Sequence, residues 1–187
     1  MESDLEACFK VLKNGGVILY PTDTVWGIGC DATNAKAVER IYQIKKRAET
    51  KSLIILLDDI LKLDFYVENV PVTAFDLINN FNEPLTIIYP NAKNVAKNVI
   101  ANDGSIAIRI VKDEFCKRLI NLLNKPIVST SANISREDTP LTFSKISDQI
   151  KNDVDYVVQY RQDKVVTYKP STVIKISDKG DFETIRK

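Results

Sequence analysis

Short apolar segments recur along the chain and alternate with segments of helical spacing. The apolar segments predict strands near 17–20, 53–57, 85–89, 106–110, 127–128, 155–160 and 172–176. Helical patterns fall near 3–13, 34–46, 58–66, 72–80, 113–123 and 142–151. Strands interleaved with helices predict an α/β or mixed α+β protein, with helices flanking a twisted, largely mixed open sheet. The strands near 106–110 and 172–176 are candidates for running antiparallel to the others.

The bulk properties fit one ordinary globular unit. A length of 187 residues suits one core, so we expect a single domain over 1–187. The net charge of +1 gives no global attraction to nucleic acid or anionic membranes. No segment approaches the roughly 20 apolar residues of a membrane span, and the N-terminus lacks the pattern of a signal peptide. The three widely spaced cysteines suggest a reducing compartment, so we expect a cytoplasmic protein. We expect the three thiols to be packed in the core and inert.

The chain contains no histidine, which limits its chemistry. Ser-His-Asp and Cys-His nucleophile systems are excluded, as are metal sites ligated by histidine. Reactions must therefore use Lys, Arg, Ser, Thr, Asn, carboxylates or a bound ion. The sequence has neither a GxxxxGK[ST] loop nor a GxGxxG fingerprint, so a bound nucleotide would be held by scattered side chains.

Two polar segments follow predicted strands. The loop 22–33 begins after Pro21 with Thr22, Asp23 and Thr24, and 129–133 reads Ser-Thr-Ser-Ala-Asn. Open sheets commonly place ligands at such strand ends. A turn in which Asp23 and the threonines bond their own backbone explains the first segment equally well. The hydroxyl groups of the second could bind phosphate or carboxylate oxygens, or could form a polar turn.

Basic residues concentrate between positions 36 and 51, where six basic and two acidic residues occur. Such a run is typical of a solvated helix end, and it also suits a phosphate clamp. Arg109 interrupts an apolar strand, so it belongs either to a half-exposed sheet or to a carboxylate-binding cleft. Ser171 follows a proline at the start of a strand, which by itself is a weak signal.

Several segments, taken in order, resemble the YrdC-like domain family. They are YPTDTVWGIGCDATN at 20–34, KKRAETKSL at 45–53, IAIRI at 106–110, PIVSTSANIS at 126–135, PSTVIKI at 170–176 and TIRK at 184–187. The likeness covers nearly the whole chain and is strongest to the short, single-domain L-threonylcarbamoyladenylate synthases of that family. Arg136 departs from the pattern, because family members usually have glycine after the serine at position 135.

The resemblance implies a central, concave, positively charged cavity on the sheet. It implies that Lys45 and Arg47 are catalytic and stabilise charge on the transferring phosphoryl group. The residues it implies for ATP binding are Lys45, Arg47, Lys51, Ser131, Asn133 and Arg186. Those it implies for threonine binding are Thr24, Arg109, Ser129 and Ser171, with Arg109 opposite the carboxylate.

The implied reaction joins L-threonine, bicarbonate or CO2, and ATP into threonylcarbamoyl-AMP and pyrophosphate, for threonylcarbamoyladenosine modification of tRNA. Mg²⁺ is expected to arrive with ATP and to be held mainly by substrate oxygens, with no metal ligands from the protein. The tRNA and the proteins that transfer the threonylcarbamoyl group are the expected partners. Three alternatives stay open: a non-catalytic RNA-binding module, a related carbamoyl-adenylate enzyme on the same fold, and a structural protein without a ligand.

Overall fold

The computed structural model describes residues 1–47, 53–164 and 170–187. Its α-helices are α1 (Glu2–Lys13), α2 (Ala35–Ile44), α3 (Leu63–Tyr66), α4 (Val72–Asn80), α5 (Glu114–Leu123) and α6 (Asp148–Asp153). Its strands are β1 (Ile18–Tyr20), β2 (Gly27–Gly29), β3 (Ile54–Leu57), β4 (Leu85–Tyr89), β5 (Ile106–Ile110), β6 (Ile127–Ser131), β7 (Tyr156–Val157), β8 (Thr172–Ile176) and β9 (Phe182–Arg186). Within the described ranges, no helix combines the length and the apolar character needed to cross a membrane.

The strands form one mixed sheet in the order β7-β1-β2-β6-β3-β5-β4-β8-β9. Three neighbouring pairs are parallel: β1 with β7, β3 with β5, and β4 with β8. The remaining neighbours pair antiparallel. β5 and β8 both flank β4 but run in opposite directions, so the expectation that they share one direction against the rest is wrong. The predicted class, helices around a largely mixed sheet, is confirmed.

Amphipathic helices cover the sheet. α1 packs against α5, and Cys8, Leu12 and Leu119 are buried between these helices and the strands. The three cysteines are free and buried, and burial raises the pKa of Cys8 to about 12. A thiol with such a pKa is protonated at neutral pH and is a poor nucleophile, which supports the inert interpretation.

Local signals fix where α2 begins and which face it buries. The side chain of Asn34 accepts hydrogen bonds from the backbone N–H groups of Lys36 and Ala37, as the predicted N-cap requires. Apolar side chains at helical spacing then turn Val38, Ile41 and Tyr42 into the core. The helix ends at Ile44, which places the basic residues that follow on a turn next to the sheet.

Four strand predictions and one helix prediction need correction. The predicted loop 22–33 contains β2. This strand was not predicted because Gly-Ile-Gly is too short to show alternation. β6 continues through Ser131, although its polar residues indicated that the strand stopped at 128. β9 has no sequence counterpart because every one of its residues is exposed, so no buried face marks it. The strand predicted over 155–160 shortens to two residues, and the helix predicted over 142–151 divides into a 3₁₀ turn and α6.

The cap at Asn34 can be tested by stability. Replacing Asn34 with Ala removes the acceptor for two N–H groups, and we expect the free energy of unfolding to fall by about 1 kcal/mol. Asn34→Asp keeps an acceptor and is the matched control. Urea denaturation of the two variants measures the difference, and equal stabilities would show that the cap contributes nothing.

Candidate functional site

A pocket of about 260 Å³ opens at the centre of the sheet. The loop after β1, the turn after α2 and strands β2, β3, β5, β6 and β9 contribute to its wall. The residues that line it are Thr22, Thr24, Val25, Gly27, Arg47, Leu53, Ile54, Arg109, Ser129, Thr130, Ser131, Thr139, Pro170, Ser171 and Arg186. Three guanidinium groups and a set of hydroxyl groups therefore face one space, an arrangement suited to anionic and polar ligands.

Most of the predicted site residues meet at this pocket. Those that line it are Thr24, Arg47, Arg109, Ser129, Ser131, Ser171 and Arg186. Lys45 and Asn133 lie beside it, and their side chains contact the loop that borders it rather than the open space. Lys51 lies outside the described residues. The functional roles of all ten residues stay predictions.

The loop after β1 combines both interpretations of its sequence. Thr22 donates its hydroxyl to the carbonyl of Val25 at 2.7 Å, and its oxygen accepts from the backbone N–H of Thr24. These are the bonds of a self-contained turn. The same turn holds the hydroxyl of Thr24 3.1 Å from that of Thr22 and within 3.4 Å of Arg109, at the wall of the pocket.

Arg109 is buried on β5, with only 5% of its surface exposed. A surface role on a half-exposed sheet is thereby excluded. One terminal nitrogen approaches the hydroxyl of Thr24 at 3.4 Å, and the other lies 3.3 Å from Oδ1 of Asp23. Neither Nε of Arg109 nor Oδ1 of Asp23 has an aligned hydrogen bond among the described residues. The guanidinium group therefore retains donor capacity next to the pocket.

The side chain of Lys45 donates to backbone carbonyls at the border of the pocket. The residue is 1% exposed, and its ammonium group donates to the carbonyls of Ser131 at 2.5 Å and Asn133 at 2.7 Å. The backbone N–H of Ser135 donates in turn to the carbonyl of Lys45 at 2.8 Å. Lys45 thus ties the end of α2 to the loop that follows β6. Burial, with a smaller contribution from Arg47, lowers the pKa of Lys45 to about 8.

Asn133 also shapes this loop. Its amide Nδ2 donates to the carbonyls of Ile134 and Glu137, and its buried Oδ1 has no hydrogen-bond partner among the described residues. Arg136 adopts a φ of 77°, in the left-handed region that favours glycine. The loop therefore keeps the backbone form that suits the glycine expected at this position. The non-glycine residue costs roughly 1–2 kcal/mol of local strain.

Arg186 reaches the pocket from β9. Its guanidinium group donates to the carbonyl of Ser171 at 3.0 Å and approaches the hydroxyl of that residue at 3.4 Å. The same hydroxyl lies 2.9 Å from that of Thr86 on β4. Ser171 and Arg186 are thus held together by the pairing of β8 with β9.

Sequence reasoning missed some of the lining residues as candidates. Thr22 and Thr130 stood in segments that had been singled out, although neither was assigned a role. Thr139 carries no local signal, because the irregular loop after β6 alone brings it to the pocket. No cluster of three or more Cys, Asp or Glu side chains suited to a metal ion occurs in the part of the chain that the structure describes.

The fold and pocket define a class of mixed-sheet α/β proteins with a cationic, hydroxyl-lined site at the sheet centre. Residues 10–187 match the Sua5/YciO/YrdC family, whose model carries the description "Telomere recombination". The chain belongs to this family, which confirms the resemblance found in the sequence.

Two relatives share the name threonylcarbamoyl-AMP synthase. The protein of Pseudoalteromonas translucida (strain TAC 125) is 36% identical over 160 residues, which cover 84% of this chain and 86% of that protein. The protein of Psychromonas ingrahamii (strain DSM 17664 / CCUG 51855 / 37) is 32% identical over 154 residues, 81% of each chain.

Solved structures match the fold along almost its full length. P. abyssi Sua5 complexed with L-threonine superposes with a TM-score of 0.86 at 26% identity, over 94% of this chain and 52% of that one. The chain thus spans about half the length of that Sua5. The match to E. coli YciO has a TM-score of 0.85 at 24% identity and spans all of this chain and 89% of YciO. At this identity the match shows a shared fold alone.

The buried ammonium group of Lys45 predicts a dependence of stability on pH. Its pKa is about 8 when folded and 10.5 in the unfolded reference, so the unfolded chain binds more protons between those values. Stability attributable to Lys45 should therefore rise with pH across this window, by on the order of 3 kcal/mol. A neutral amine keeps two N–H groups, enough for both carbonyls.

Lys45→Met isolates this contribution. Urea denaturation is measured for the wild type and the variant between about pH 7 and pH 10.5. The unfolding free energy of the wild type minus that of the variant should increase as the pH rises. Lys46→Met is the control, because the neighbouring Lys46 is exposed. A difference for Lys45→Met that stays constant with pH would mean that the ammonium group is not desolvated.

Proposed function

We propose that the chain catalyses the formation of threonylcarbamoyl-AMP from L-threonine, bicarbonate or CO2, and ATP. The observation that carries this proposal is the convergence of Arg47, Arg109 and Arg186 with hydroxyl groups from distant segments on one pocket. The names of the two relatives, at 36% and 32% identity over most of both chains, support the same reaction. The solved complex of Sua5 with L-threonine supports threonine as a substrate.

The amino acid is assigned to the part of the pocket around Arg109. A buried guanidinium with unused donors suits the threonine carboxylate, since Arg–carboxylate contacts are strong and directional. Thr24, Ser129 and Ser171 supply neutral hydroxyls at the same wall. A site that satisfies the threonine hydroxyl by a buried polar contact would reject analogues lacking it.

The nucleotide phosphates are assigned to Arg47, Arg186 and Ser131. Arg47 follows the turn after α2, and its backbone N–H donates to the carbonyl of Tyr42, which holds the guanidinium stem at the pocket. Lys45 and Asn133 would serve the nucleotide by shaping the bordering loop, given the hydrogen bonds that their side chains make. Lys51 is proposed to meet the nucleotide on the basis of the family resemblance alone.

The chemistry needs no protein nucleophile. The threonine nitrogen bonds to the carbon of CO2 and loses a proton, which gives a carbamate. A carbamate oxygen then attacks the α-phosphorus of ATP, and the bond to pyrophosphate breaks. The protein would contribute positioning and stabilisation of developing phosphoryl charge, with Mg²⁺ arriving on ATP as part of the substrate.

The product suits a role in tRNA threonylcarbamoyladenosine modification. Threonylcarbamoyl-AMP is a mixed anhydride, so it is an activated acyl donor that a separate transferase would pass to tRNA. Binding of tRNA or of such transferases, and a cytoplasmic location, belong to this proposal as expectations.

A direct assay tests the reaction. Incubation of the protein with Mg-ATP, L-threonine and bicarbonate should yield threonylcarbamoyl-AMP by mass spectrometry, together with pyrophosphate that depends on all three substrates. Replacing threonine and bicarbonate with carbamoyl phosphate tests the related carbamoyl-adenylate enzyme. Salt-dependent RNA binding without any consumption of ATP would favour an RNA-binding module instead.

Arg47→Ala tests the phosphate assignment. Loss of one charge-stabilising donor should lower the rate of pyrophosphate release by roughly 10²–10³-fold while the unfolding transition changes little. Arg118→Ala is the control, since Arg118 lies on the surface in an ion pair with Glu2. An Arg47→Ala enzyme as fast as the Arg118→Ala enzyme would remove Arg47 from the mechanism.

A further inference from the structure

A fully buried hydroxyl group lies on β4, directly behind the wall of the pocket. Thr86 is 0% exposed, and its Oγ1 is 2.9 Å from Oγ of Ser171, which lines the pocket. Thr86 lies opposite Val173 in the parallel pairing of β4 with β8, and Ser171 precedes Val173 by two residues. Residues two apart along an extended chain point to the same side, so the register agrees with the contact between the two hydroxyls. The proposed substrate contacts give Thr86 no role.

The sheet face that carries Thr86 is also the face that carries Arg109. Ile87 pairs with Ile108 in the antiparallel ladder of β4 and β5, so Thr86 and Arg109, each one position away, lie together on the opposite face. Arg109 lines the pocket. Because β4 lies between β5 and β8, Thr86 is placed between Arg109 and Ser171, under the part of the pocket assigned to the amino acid.

The burial of Thr86 decides the direction of its hydrogen bond. Among the described residues, its hydroxyl has one hydrogen-bond partner, Oγ of Ser171, and either oxygen is within reach as the donor. If Thr86 accepted, its own hydrogen would lie unpaired in the core, which costs more free energy than an unused lone pair does. Thr86 therefore donates to Ser171.

This direction leaves Ser171 with a hydrogen to give. A hydroxyl group has one hydrogen and two acceptor lone pairs. Oγ of Ser171 accepts from Thr86 and is approached at 3.4 Å by a terminal nitrogen of Arg186, which can only donate. No described residue accepts the hydrogen of Ser171. With its acceptor positions used inside the protein, Ser171 offers the pocket a donor.

We propose that Thr86 is a positioning residue that fixes Ser171 as a hydrogen-bond donor to an acceptor oxygen of the amino-acid substrate. This inference rests on the proposed function, in which Ser171 belongs to the threonine side of the pocket. The substrate carboxylate suits this donor best, because Arg109 serves the same face and bonds to a charged acceptor are the stronger ones. Thr86 does not contact the substrate and acts through Ser171 alone.

A merely structural role for Thr86 makes a different prediction. If Thr86 only filled the core, its replacement would weaken the binding of ATP and L-threonine alike. If Thr86 acts through Ser171, its hydroxyl matters for L-threonine, and it matters only while Ser171 keeps its own hydroxyl. The choice of ligand and a double-mutant cycle therefore separate the two roles.

The test measures the affinities of the full chain for L-threonine and for Mg-ATP by NMR titration. Thr86→Val removes the hydroxyl and keeps the β-branched shape, so we expect the affinity for L-threonine to fall about 3- to 10-fold and that for Mg-ATP to stay unchanged. Thr86→Ser keeps the hydroxyl and should bind L-threonine as the wild type does. Thr142→Val is the matched control, because it breaks a similar hydroxyl pair with Ser144, 3.0 Å apart and exposed, and should alter neither affinity.

The double-mutant cycle uses Ser171→Ala. This variant should lose at least as much affinity for L-threonine as Thr86→Val, and adding Thr86→Val to it should cause no further loss. Losses that multiply in the double variant would overturn the inference, as would an unchanged affinity of Thr86→Val or an equal loss for Mg-ATP. Should Thr86→Val not fold, Thr86→Cys replaces the hydroxyl with a weaker donor, and an affinity equal to that of Thr86→Ser would count against the inference.

The same measurements distinguish this inference from the proposed reaction. A wild-type chain that binds L-threonine in this Thr86-dependent way but forms no adenylate contradicts the reaction and supports the inference. A Thr86→Val enzyme that forms adenylate with the KM of the wild type for L-threonine supports the reaction and overturns the inference. A wild-type chain that does not bind L-threonine contradicts both.

Discussion

The central position of β6 in the sheet is the constraint on which the site depends. β6 pairs antiparallel with β2 on one side and β3 on the other, with Gly27 opposite Ser131 and Ile54 opposite Ser129. Its polar end is thereby enclosed by the loop after β1 and by the strand that follows the basic turn. A side chain at position 27 would place its Cβ 3.2 Å from Oγ of Ser129, so the glycine permits the close approach of these strands.

Placing cations beside a sheet centre requires each one to have a partner, because an unpaired buried charge is costly. The protein solves this in two ways. Arg109 has a counter-ion in Asp23, whereas Lys45 has two backbone carbonyls and a lowered pKa. In the first arrangement the guanidinium keeps an Nε–H group that has no hydrogen-bond partner among the described residues. In the second arrangement the ammonium group holds the loop after β6, so the two buried cations are stabilised in different ways.

Segments with a strong local signal were predictable. The apolar spacing of α1, α2 and α5 and the apolar runs of β3, β4 and β5 match the structure closely, because burial imposes those patterns. β2 and β9 were not predictable, since one is two glycines around an isoleucine and the other buries no face. Neither strand would persist alone. Each exists because a neighbouring strand supplies its hydrogen bonds.

By itself, the sequence determined the class of fold, the family and the set of side chains from which a site could be built, because periodicity and motif order are local properties of a chain. Tertiary structure decided which of those side chains share one space and what each contacts. It turned Lys45 towards carbonyls rather than the pocket, set Asp23 against Arg109, and brought Thr139 and Arg186 to the wall. Such outcomes depend on strand order and on the partner that each buried polar group finds, and neither is encoded in the spacing of residues along the chain.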